Sequence, residues 1–304
     1  MSDKVSVIIP SRCEPLLSKT IDDVFAKARG LVEIIAILDA YWPEPPIGDH
    51  ENLIIIHRGE ARGMRAAINS AARVASGDYL LKTDAHCMFG DGFDEILKAD
   101  SEENWLSVPS KYTLEAEKWE RGRGPVDYWY LTFPYVLDPK YGWGFHGKKW
   151  CGPGGLNGDF WHREKERKDI LIDDIIAFQG ACWFMPKDLF FKIGTLDNEE
   201  FNLHQEAQEL CFKVWLSGGR VIVNKKTWYA HLHKGAGGRG FHLLKQDKYD
   251  AEDYSVDFWM NNKWSGQTRN MKWLMDKFLP LDGWPTDWEN TKYRENFRIG
   301  EKVA

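Results

Sequence analysis

Two side chains that can bind a cation, Asp84 and His86, follow directly after the apolar run at residues 78–83 and are separated by one residue. Alternate residues of an extended chain share a face, so both side chains should point the same way at the exposed end of the strand. Carboxylate and imidazole suit an ion such as Mn²⁺, which accepts oxygen and nitrogen ligands. Taken alone, the pair fits a plainer interpretation better, in which Asp84 caps the strand and His86 is a hydrogen-bonded polar residue.

Four short apolar runs predict the strands that position this pair, and between the third and fourth run residues 63–77 show helical spacing. The pattern predicts a doubly wound α/β fold, with a mostly parallel sheet flanked by helices; the runs are 5–10, 32–38, 53–57 and 78–83. Such sheets bind ligands beyond the carboxyl ends of their strands. The polar residues found there are therefore the candidates for ligand binding: Ser11, Arg12, Glu14, Asp39, Asp84 and His86.

Residues 101–175 lose this rhythm and are rich in Trp, Tyr, Gly and charge, which predicts a long insertion or a pair of functional loops. Regular structure should return with an apolar strand ending near 186, a short helix from Lys187, a helix within 204–219 and the strand "RVIV". The last fifty residues predict helices with exposed aromatics. Their tryptophans can stack on sugar rings, although most should pack in the core, since large aromatics bury the most apolar area.

Composition narrows the classes of function. A formal charge of −6 and a pI near 5.9 do not indicate a general nucleic-acid binder. Five scattered cysteines favour reduced thiols over a disulfide framework. The chain enters a predicted strand at once and has no apolar run near the roughly 18 residues of a membrane span. We therefore expect a cytoplasmic protein without a signal peptide, of unknown oligomeric state.

Several ordered motifs between residues 4 and 235 resemble nucleotide-sugar glycosyltransferases of the GT-A fold, a Rossmann-like α/β fold. The likeness is greatest to the catalytic domain of polypeptide N-acetylgalactosaminyltransferases, with the bacterial family 2 enzymes next. It is carried by these segments: "SVIIPSRCEP", "ILDA", "GMRAAINSAARVASGDYLLKTDAHC", "GACWFMPKDLFFKIGTLD", "EAQELCFKVWLSGG" and "AHLH". The resemblance implies a catalytic domain over 1–240, divided at about residue 100 into nucleotide-binding and acceptor halves, followed by a helical, Trp-rich extension over 241–304.

The resemblance also implies the ligands of the site. The Asp-x-His motif at Asp84 and His86, with a later histidine matching His231, would hold Mn²⁺ or Mg²⁺ on the diphosphate of a UDP-sugar donor. His233 is the alternative to His231. Residues implied around the nucleoside are Ser11, Arg12, Glu14 and Asp39. The residue types suit the chemistry, because a sugar diphosphate departs as a charged anion that a divalent cation stabilises.

Glu206 and Glu209 lie one helical turn apart on a predicted polar face that also holds Lys213, which is the ordinary pattern of a solvated helix. The resemblance adds a catalytic interpretation. Inverting family 2 enzymes begin this helix with Glu-Asp, and that Asp is their base, whereas Ala207 stands here. The resemblance therefore implies retention of configuration, with Glu206 orienting the sugar or the acceptor hydroxyl.

Cations near the predicted site could bind the donor phosphates. Arg65 and Arg62 are candidates, although the family arginine expected one turn later is Ile68 here. Lys234 and Arg239 flank "GAGG", a candidate mobile lid for which the plainer interpretation is an ordinary turn.

Other classes of protein and of acceptor stay open at this point. The alternatives to a glycosyltransferase are a nucleotide-sugar nucleotidyltransferase and a non-catalytic sugar-binding module. The acceptor hydroxyl can belong to a protein Ser or Thr, to a glycan, or to a hydroxymethylated base of DNA. DNA is favoured if three basic clusters converge on one face, namely "HGKKW", "HREKERK" and "HKGAGGRGFHLLK".

Overall fold

The computed structural model describes residues 3–138, 142–150, 162–197, 204–234, 240–241 and 245–296. The first hundred residues alternate strands and helices as predicted. Their elements are β1 Val5–Ser11, α1 Leu17–Lys27, β2 Val32–Asp39, β3 Leu53–Arg58, α2 Gly63–Val74, β4 Tyr79–Thr83, β5 Cys87–Phe89 and α3 Phe93–Ala99.

The second part of the chain completes the sheet and adds helices. Its elements are β6 Trp105–Glu115, β7 Glu120–Arg121, β8 Trp129–Leu131, β9 Gly147–Lys149, α4 His162–Glu166, β10 Ile172–Asp174, β11 Cys182–Pro186, α5 Lys187–Lys192, α6 Glu206–Leu216, β12 Arg220–His231, α7 Lys245–Met260, α8 Met271–Phe278 and a 3₁₀ helix at Thr291–Asn296.

One sheet contains most of these strands, in the order β10-β12-β6-β11-β4-β1-β2-β3. The first four strands pair in parallel, as predicted, and β12 also runs parallel to β6. The second part adds antiparallel pairs, notably β11 with β4 and β5 with β12. The sheet is therefore parallel among its first four strands and mixed beyond them, and helices flank it, so the predicted α/β class is confirmed.

The central strands are buried because their apolar side chains face helices on both sides. The third strand differs from the prediction, since β3 forms an edge and leaves Ile54 and Ile55 each 39% exposed. The prediction of loops over 101–175 was also wrong in part. Residues 105–115 form an internal strand whose Trp, Ser, Lys and Pro content hides the usual apolar signal.

Helix α6 is buried along nearly its whole length, and Gln208 is its one partly exposed residue. The predicted solvated face with Glu206, Glu209 and Lys213 is therefore wrong. The C-terminal helices cover α6, and Trp215 packs edge-on against Phe278 with ring centroids 5.6 Å apart. The charged residues of α6 are buried against other elements, since Glu206 meets Lys82 of β4 and Glu209 meets Arg65 of α2.

The C-terminal tryptophans mostly belong to the same hydrophobic core as the sheet. Trp259, Trp284 and Trp288 are at most 8% exposed, whereas Trp273 is 37% exposed. The described cysteines are free thiols, with only Cys13 exposed. Among the described helices, none has the length and apolarity that crossing a membrane requires. Cys151, Trp161 and Arg239 lie outside the described residues.

Candidate cation and nucleotide site

Strand pairing brings the predicted cation ligands together. Asp84 follows β4, where its backbone N–H donates to the carbonyl of Ala181 at 2.8 Å. The chain turns and enters β5, which pairs antiparallel with the end of β12 so that Cys87 lies opposite His231. His86 and His231 are thereby neighbours, although 145 positions separate them in the sequence.

The three side chains converge with spacings that fit one cation. The Nε2 atoms of His86 and His231 lie 3.0 Å apart, and Asp84 Oδ2 lies 3.2 Å from His231 Nε2 and 3.9 Å from His86 Nε2. Ligands held about 2.1 Å from one metal ion are separated by roughly 3.0 to 3.4 Å in octahedral or tetrahedral geometry. The two distances from His231 Nε2 lie in this range, and the distance between Asp84 Oδ2 and His86 Nε2 is longer by about 0.5 Å. Among the described residues, Asp84, His86 and His231 form the group whose ligand atoms converge in this way.

The electrostatics favour ligand protonation states that bind metal. Burial lowers the pKa of His231 to about 4, although Asp84 acts in the opposite direction, so the imidazole is neutral near pH 7. Burial acts to raise the pKa of Asp84, but Lys82 and His231 outweigh it and hold that pKa well below its usual range. The Nδ1 atom of His231 is buried without a hydrogen-bond partner among the described residues. The polar contacts of this ring are thus on its Nε2 side.

Glu14 holds His86 in this orientation. Its Oε2 lies 2.8 Å from His86 Nδ1, while Oε1 accepts the backbone N–H of Leu16 at 3.2 Å. A carboxylate on the second nitrogen of a ligating histidine fixes the tautomer and orients the ring. Burial acts to raise the pKa of Glu14, but hydrogen bonds and charge from His86 and Lys234 lower it. Glu14, predicted at the nucleoside, therefore supports the cation site.

Lys82, which the sequence analysis did not select, connects the cation ligands to helix α6. Its Nζ donates to Asp84 Oδ1 at 2.8 Å, to Glu206 Oε2 at 3.4 Å and to the carbonyl of Gly180. The other oxygen of Glu206 accepts from Trp183 Nε1 at 2.7 Å. The sequence contained a signal for Lys82, because a lysine two residues before Asp84 in an extended apolar segment points to the same face as Asp84.

The residues predicted around the nucleoside lie together at the carboxyl ends of β1 and β2, which pair in parallel register. The hydroxyl of Ser11 bonds that of Tyr41, and the guanidinium of Arg12 lies 4.6 Å from the ring centroid of Phe241. Asp39 accepts the backbone N–H groups of Arg62 and Gly63, at 3.0 and 2.9 Å, and so anchors the start of α2. Their contact with a nucleoside stays a prediction.

Arg65 was predicted to bind the donor phosphates and Glu209 to lie on a polar face of α6, but the structure buries both side chains. Arg65 is 0% exposed, pairs with Glu209, and donates to the carbonyls of Asp197 and His204 at 2.8 and 3.1 Å. Glu209 also accepts from Lys213 at 2.7 Å. A diphosphate entering from solvent cannot reach the buried guanidinium in this conformation. The pair joins α2 to α6, so its contacts are those of a structural link.

Lys234, which follows β12 and was predicted to bind the donor phosphates, lies beside the candidate cation ligands. Lys234 forms an ion pair with Glu14, next to His86, and its side chain is 15% exposed. His233 is exposed whereas His231 is buried at the cation ligands, which favours His231 as the metal-binding histidine. Arg239 and the glycine-rich turn lie outside the described residues, so the proposed lid is not described.

Sequence comparison relates the chain to known families. The profile of "Glycosyl transferase family 2" matches residues 6–148. Polypeptide N-acetylgalactosaminyltransferase 3 of Taeniopygia guttata is 26% identical over 193 residues, covering 59% of this chain and 28% of the relative. Polypeptide N-acetylgalactosaminyltransferase 6 of Bos taurus is 27% identical over 225 residues, covering 67% and 32%. The chain thus spans about a third or less of these relatives' length.

Structural comparison gives the same relationship. A crystal structure of GalNAc-T7 with UDP, GalNAc and Mn²⁺ matches 90% of this chain and 56% of that chain, with a TM-score of 0.66 and 15% identity. S. aureus TarS 1-349 in complex with UDP-GlcNAc matches 85% and 67%, with a TM-score of 0.50 and 13% identity. The chain therefore has the GT-A fold, and the predicted resemblance to these glycosyltransferases is confirmed.

Proposed function

We propose that this chain is a metal-dependent glycosyltransferase that moves a sugar from a UDP-sugar to an acceptor hydroxyl. The observation that carries the proposal is the convergence of Asp84, His86 and His231 at the carboxyl edge of a GT-A sheet. The relatives' names support the reaction class, since those aligned in sequence are N-acetylgalactosaminyltransferases. The matched structures with UDP, Mn²⁺ or UDP-GlcNAc support the donor and the ion.

Each residue has a role that follows from its position. Asp84, His86 and His231 would hold the ion, which when bound would offset the charge of the departing diphosphate. Glu14 orients His86. Lys234, at the mouth of the site, provides a cation that can exchange Glu14 for a phosphate oxygen. These residues bind and orient the donor.

The acceptor proton requires a base, and α6 does not provide the usual one. Ala207 occupies the position of the aspartate base in inverting relatives, and both oxygens of Glu206 accept hydrogen bonds. A retaining front-face reaction needs no protein base. The bond from the anomeric carbon to the phosphate oxygen breaks, the bond to the acceptor oxygen forms, and the departing phosphate oxygen takes the acceptor proton.

The decisive experiment measures UDP release from UDP-GalNAc, UDP-GlcNAc and UDP-glucose, with Mn²⁺ or with EDTA, over a panel of acceptors. We expect Mn²⁺-dependent UDP release with at least one donor. Pyrophosphate release would indicate a nucleotidyltransferase instead, and sugar-nucleotide binding without turnover in the presence of every acceptor class would indicate a binding module. Proton NMR of the anomeric coupling should show an α-linked product from an α-linked donor, and a β-linked product would refute retention.

The acceptor panel contains a Ser/Thr peptide, a soluble glycan and hydroxymethylated DNA. Lys148 and Lys149 in β9, with Arg163 and Arg167 beyond it, are described basic residues outside the cation site. Arg167 and Lys148 are, however, paired with Asp173 and Asp138. If the acceptor is DNA, its binding should weaken steeply with salt, because phosphate contacts release counterions. A flat salt response would exclude that acceptor.

A further inference from the structure

Lys82 is the one residue of β4 whose chemistry does not suit its surroundings. Its neighbours Leu80 and Leu81 are core residues, and Lys82 itself is 0% exposed. Burial of an ammonium group is unfavourable unless the charge is paired and hydrogen-bonded. Packing alone does not account for a lysine at this position, so its partners must supply the reason.

The ammonium group meets acceptors from three segments of the chain. Asp84 Oδ1 lies 2.8 Å away, Glu206 Oε2 lies 3.4 Å away, and the carbonyl of Gly180 also accepts. A lysine ammonium has three donor hydrogens, so these acceptors use its full capacity. Burial acts to lower the pKa of Lys82, but Asp84 and Glu206 raise it, so the group remains charged. Lys82 therefore holds both carboxylates at once.

The contact with Asp84 divides the functions of its two oxygens. Oδ1 is bonded to Lys82, while Oδ2 lies 3.2 Å from His231 Nε2, at the cation position. A carboxylate fixed through one oxygen cannot rotate freely about its side-chain bond. The contact with Glu206 gives that buried carboxylate a partner other than the cation.

We infer that Lys82 is a positioning residue of the cation site. It fixes Asp84 as a ligand through Oδ2 and keeps Glu206 out of the ligand set. This inference rests on the proposed function in one respect, since it concerns the cation site on which that function depends. A purely structural role, in which Lys82 only attaches α6 to the sheet, is the alternative that the experiment must separate.

The test measures the Mn²⁺ dissociation constant by calorimetry, without nucleotide, for the wild-type chain and for Lys82→Met/Glu206→Gln. The double variant removes one positive and one negative charge, so the net charge is unchanged. In the double variant, loss of the Lys82 ammonium by charge alone would strengthen cation binding and loss of the Glu206 carboxylate would weaken it, so the two charge effects oppose each other. In Lys82→Met alone, charge acts only to strengthen binding. Weaker binding in both variants must therefore come from lost orientation, and we expect a decrease of about 10- to 100-fold, typical when a partner of a metal ligand is lost.

Lys213→Met is the matched control, because it also removes a buried lysine paired with a glutamate of α6. It should leave Mn²⁺ affinity within about threefold of wild type, while its urea midpoint shows the cost of losing a buried lysine. Lys82→Met alone is the second variant, and either folded Lys82 variant decides the question. The neutral pair should fold, since uncharged groups often replace a buried ion pair without loss of stability.

The outcomes separate this inference from the proposed function. Weaker Mn²⁺ binding in a folded Lys82 variant, with unchanged binding in Lys213→Met, supports the positioning role. Equal or tighter binding overturns that role and leaves the proposed glycosyltransferase standing. If the wild-type chain itself fails to bind Mn²⁺ with or without UDP, the cation site fails, and the inference fails with it.

Discussion

Two buried charge clusters connect helix α6 to the rest of the protein, and they use the same kinds of residue. The site cluster consists of Lys82, Asp84 and Glu206, and the anchor cluster consists of Arg65, Glu209 and Lys213. In the anchor cluster every side chain is at most 8% exposed, and both oxygens of Glu209 accept hydrogen bonds. In the site cluster the Asp84 side chain is 25% exposed and turns one oxygen toward two histidines.

Buried charge does not by itself mark a functional site, because both clusters are buried and only one of them lies beside the candidate cation ligands. In each cluster a basic side chain from another element neutralises the charge of a glutamate of α6, namely Lys82 for Glu206 and Arg65 for Glu209. Each cluster therefore fixes the helix to its neighbour. The site cluster alone leaves a ligand atom converging with other ligand atoms near the surface. Substitutions in the site cluster should therefore affect Mn²⁺ affinity, and substitutions in the anchor cluster should affect the free energy of unfolding.

The largest expected effect comes from the cation ligands themselves. His231→Ala should reduce Mn²⁺-dependent turnover of the UDP-sugar by about 10³-fold or more, because cation stabilisation of the leaving group contributes several kcal/mol. Folding, followed by circular dichroism, should change little. His233→Ala is the control and should turn over near the wild-type rate. The reverse result would transfer the ligand role to His233.

The next largest effect belongs to the anchor cluster. Arg65→Met leaves Glu209 buried with Lys213 as its remaining side-chain cation, and loss of one member of a buried ion pair costs about 3–5 kcal/mol of unfolding free energy. Urea denaturation measures this loss. The folded fraction of the variant should bind Mn²⁺ with wild-type affinity. A large drop in Mn²⁺ affinity at unchanged stability would show that Arg65 contributes to ligand binding instead.

A third buried carboxylate, on α7, lies farther from its basic partners than Glu209 lies from Lys213. Glu252 of α7 is 3% exposed, with Oε1 3.5 Å from Lys248 Nζ and 3.7 Å from His146 Nδ1. Burial raises the pKa of Glu252 to about 7, despite Lys248, while Asp253 acts in the same direction as burial. Burial also lowers the pKa of His146 to about 4, so His146 stays neutral above pH 5.

A raised pKa in the folded state means that Glu252 contributes stability at low pH that is lost as pH rises through about 7. Between pH 5 and pH 8 the wild-type chain should lose about 2 to 3 kcal/mol of unfolding free energy from this group. Glu252→Gln should remove that loss, since the amide does not titrate. Urea denaturation of both chains at pH 5 and pH 8 checks it, and parallel pH dependence would show that Glu252 is not the responsible group.

The smallest effect concerns the support of His86. Glu14→Gln keeps an acceptor for His86 Nδ1 but removes the charge, so Mn²⁺ affinity should fall by about tenfold. Glu33→Gln is a suitable control, because Glu33 is a buried carboxylate of the same sheet that accepts from Ser6 and Ser76, away from the cation ligands. Calorimetric titration with Mn²⁺ compares the two, and equal affinities would remove Glu14 from the cation site.

The sequence alone predicts the first four strands, helix α2 and the doubly wound α/β class, because hydrophobic periodicity is a local property, whereas the GT-A fold came from the resemblance. It also determined the Asp84 and His86 pair, whose spacing is local, and the resemblance supplied His231. The strand at 105–115 was missed because its polar residues are satisfied by neighbours distant in sequence. Composition gave no indication that those neighbours exist.

The tertiary contacts separate the charged residues that converge at the candidate site from those buried elsewhere. The antiparallel pairing of β5 with β12 joins His86 to His231, and the packing of α6 against β4 places Glu206 on Lys82. The same packing takes Arg65 and Glu209 out of reach of a ligand. Along the chain these residues look alike, since a charged side chain has the same sequence signal whether it faces solvent, a metal or a buried partner. Burial makes the difference, because β4 and α2 cover the charged residues of α6 while the C-terminal helices cover Phe212 and Trp215, so the helix has no solvated face of the kind a lone amphipathic helix would have.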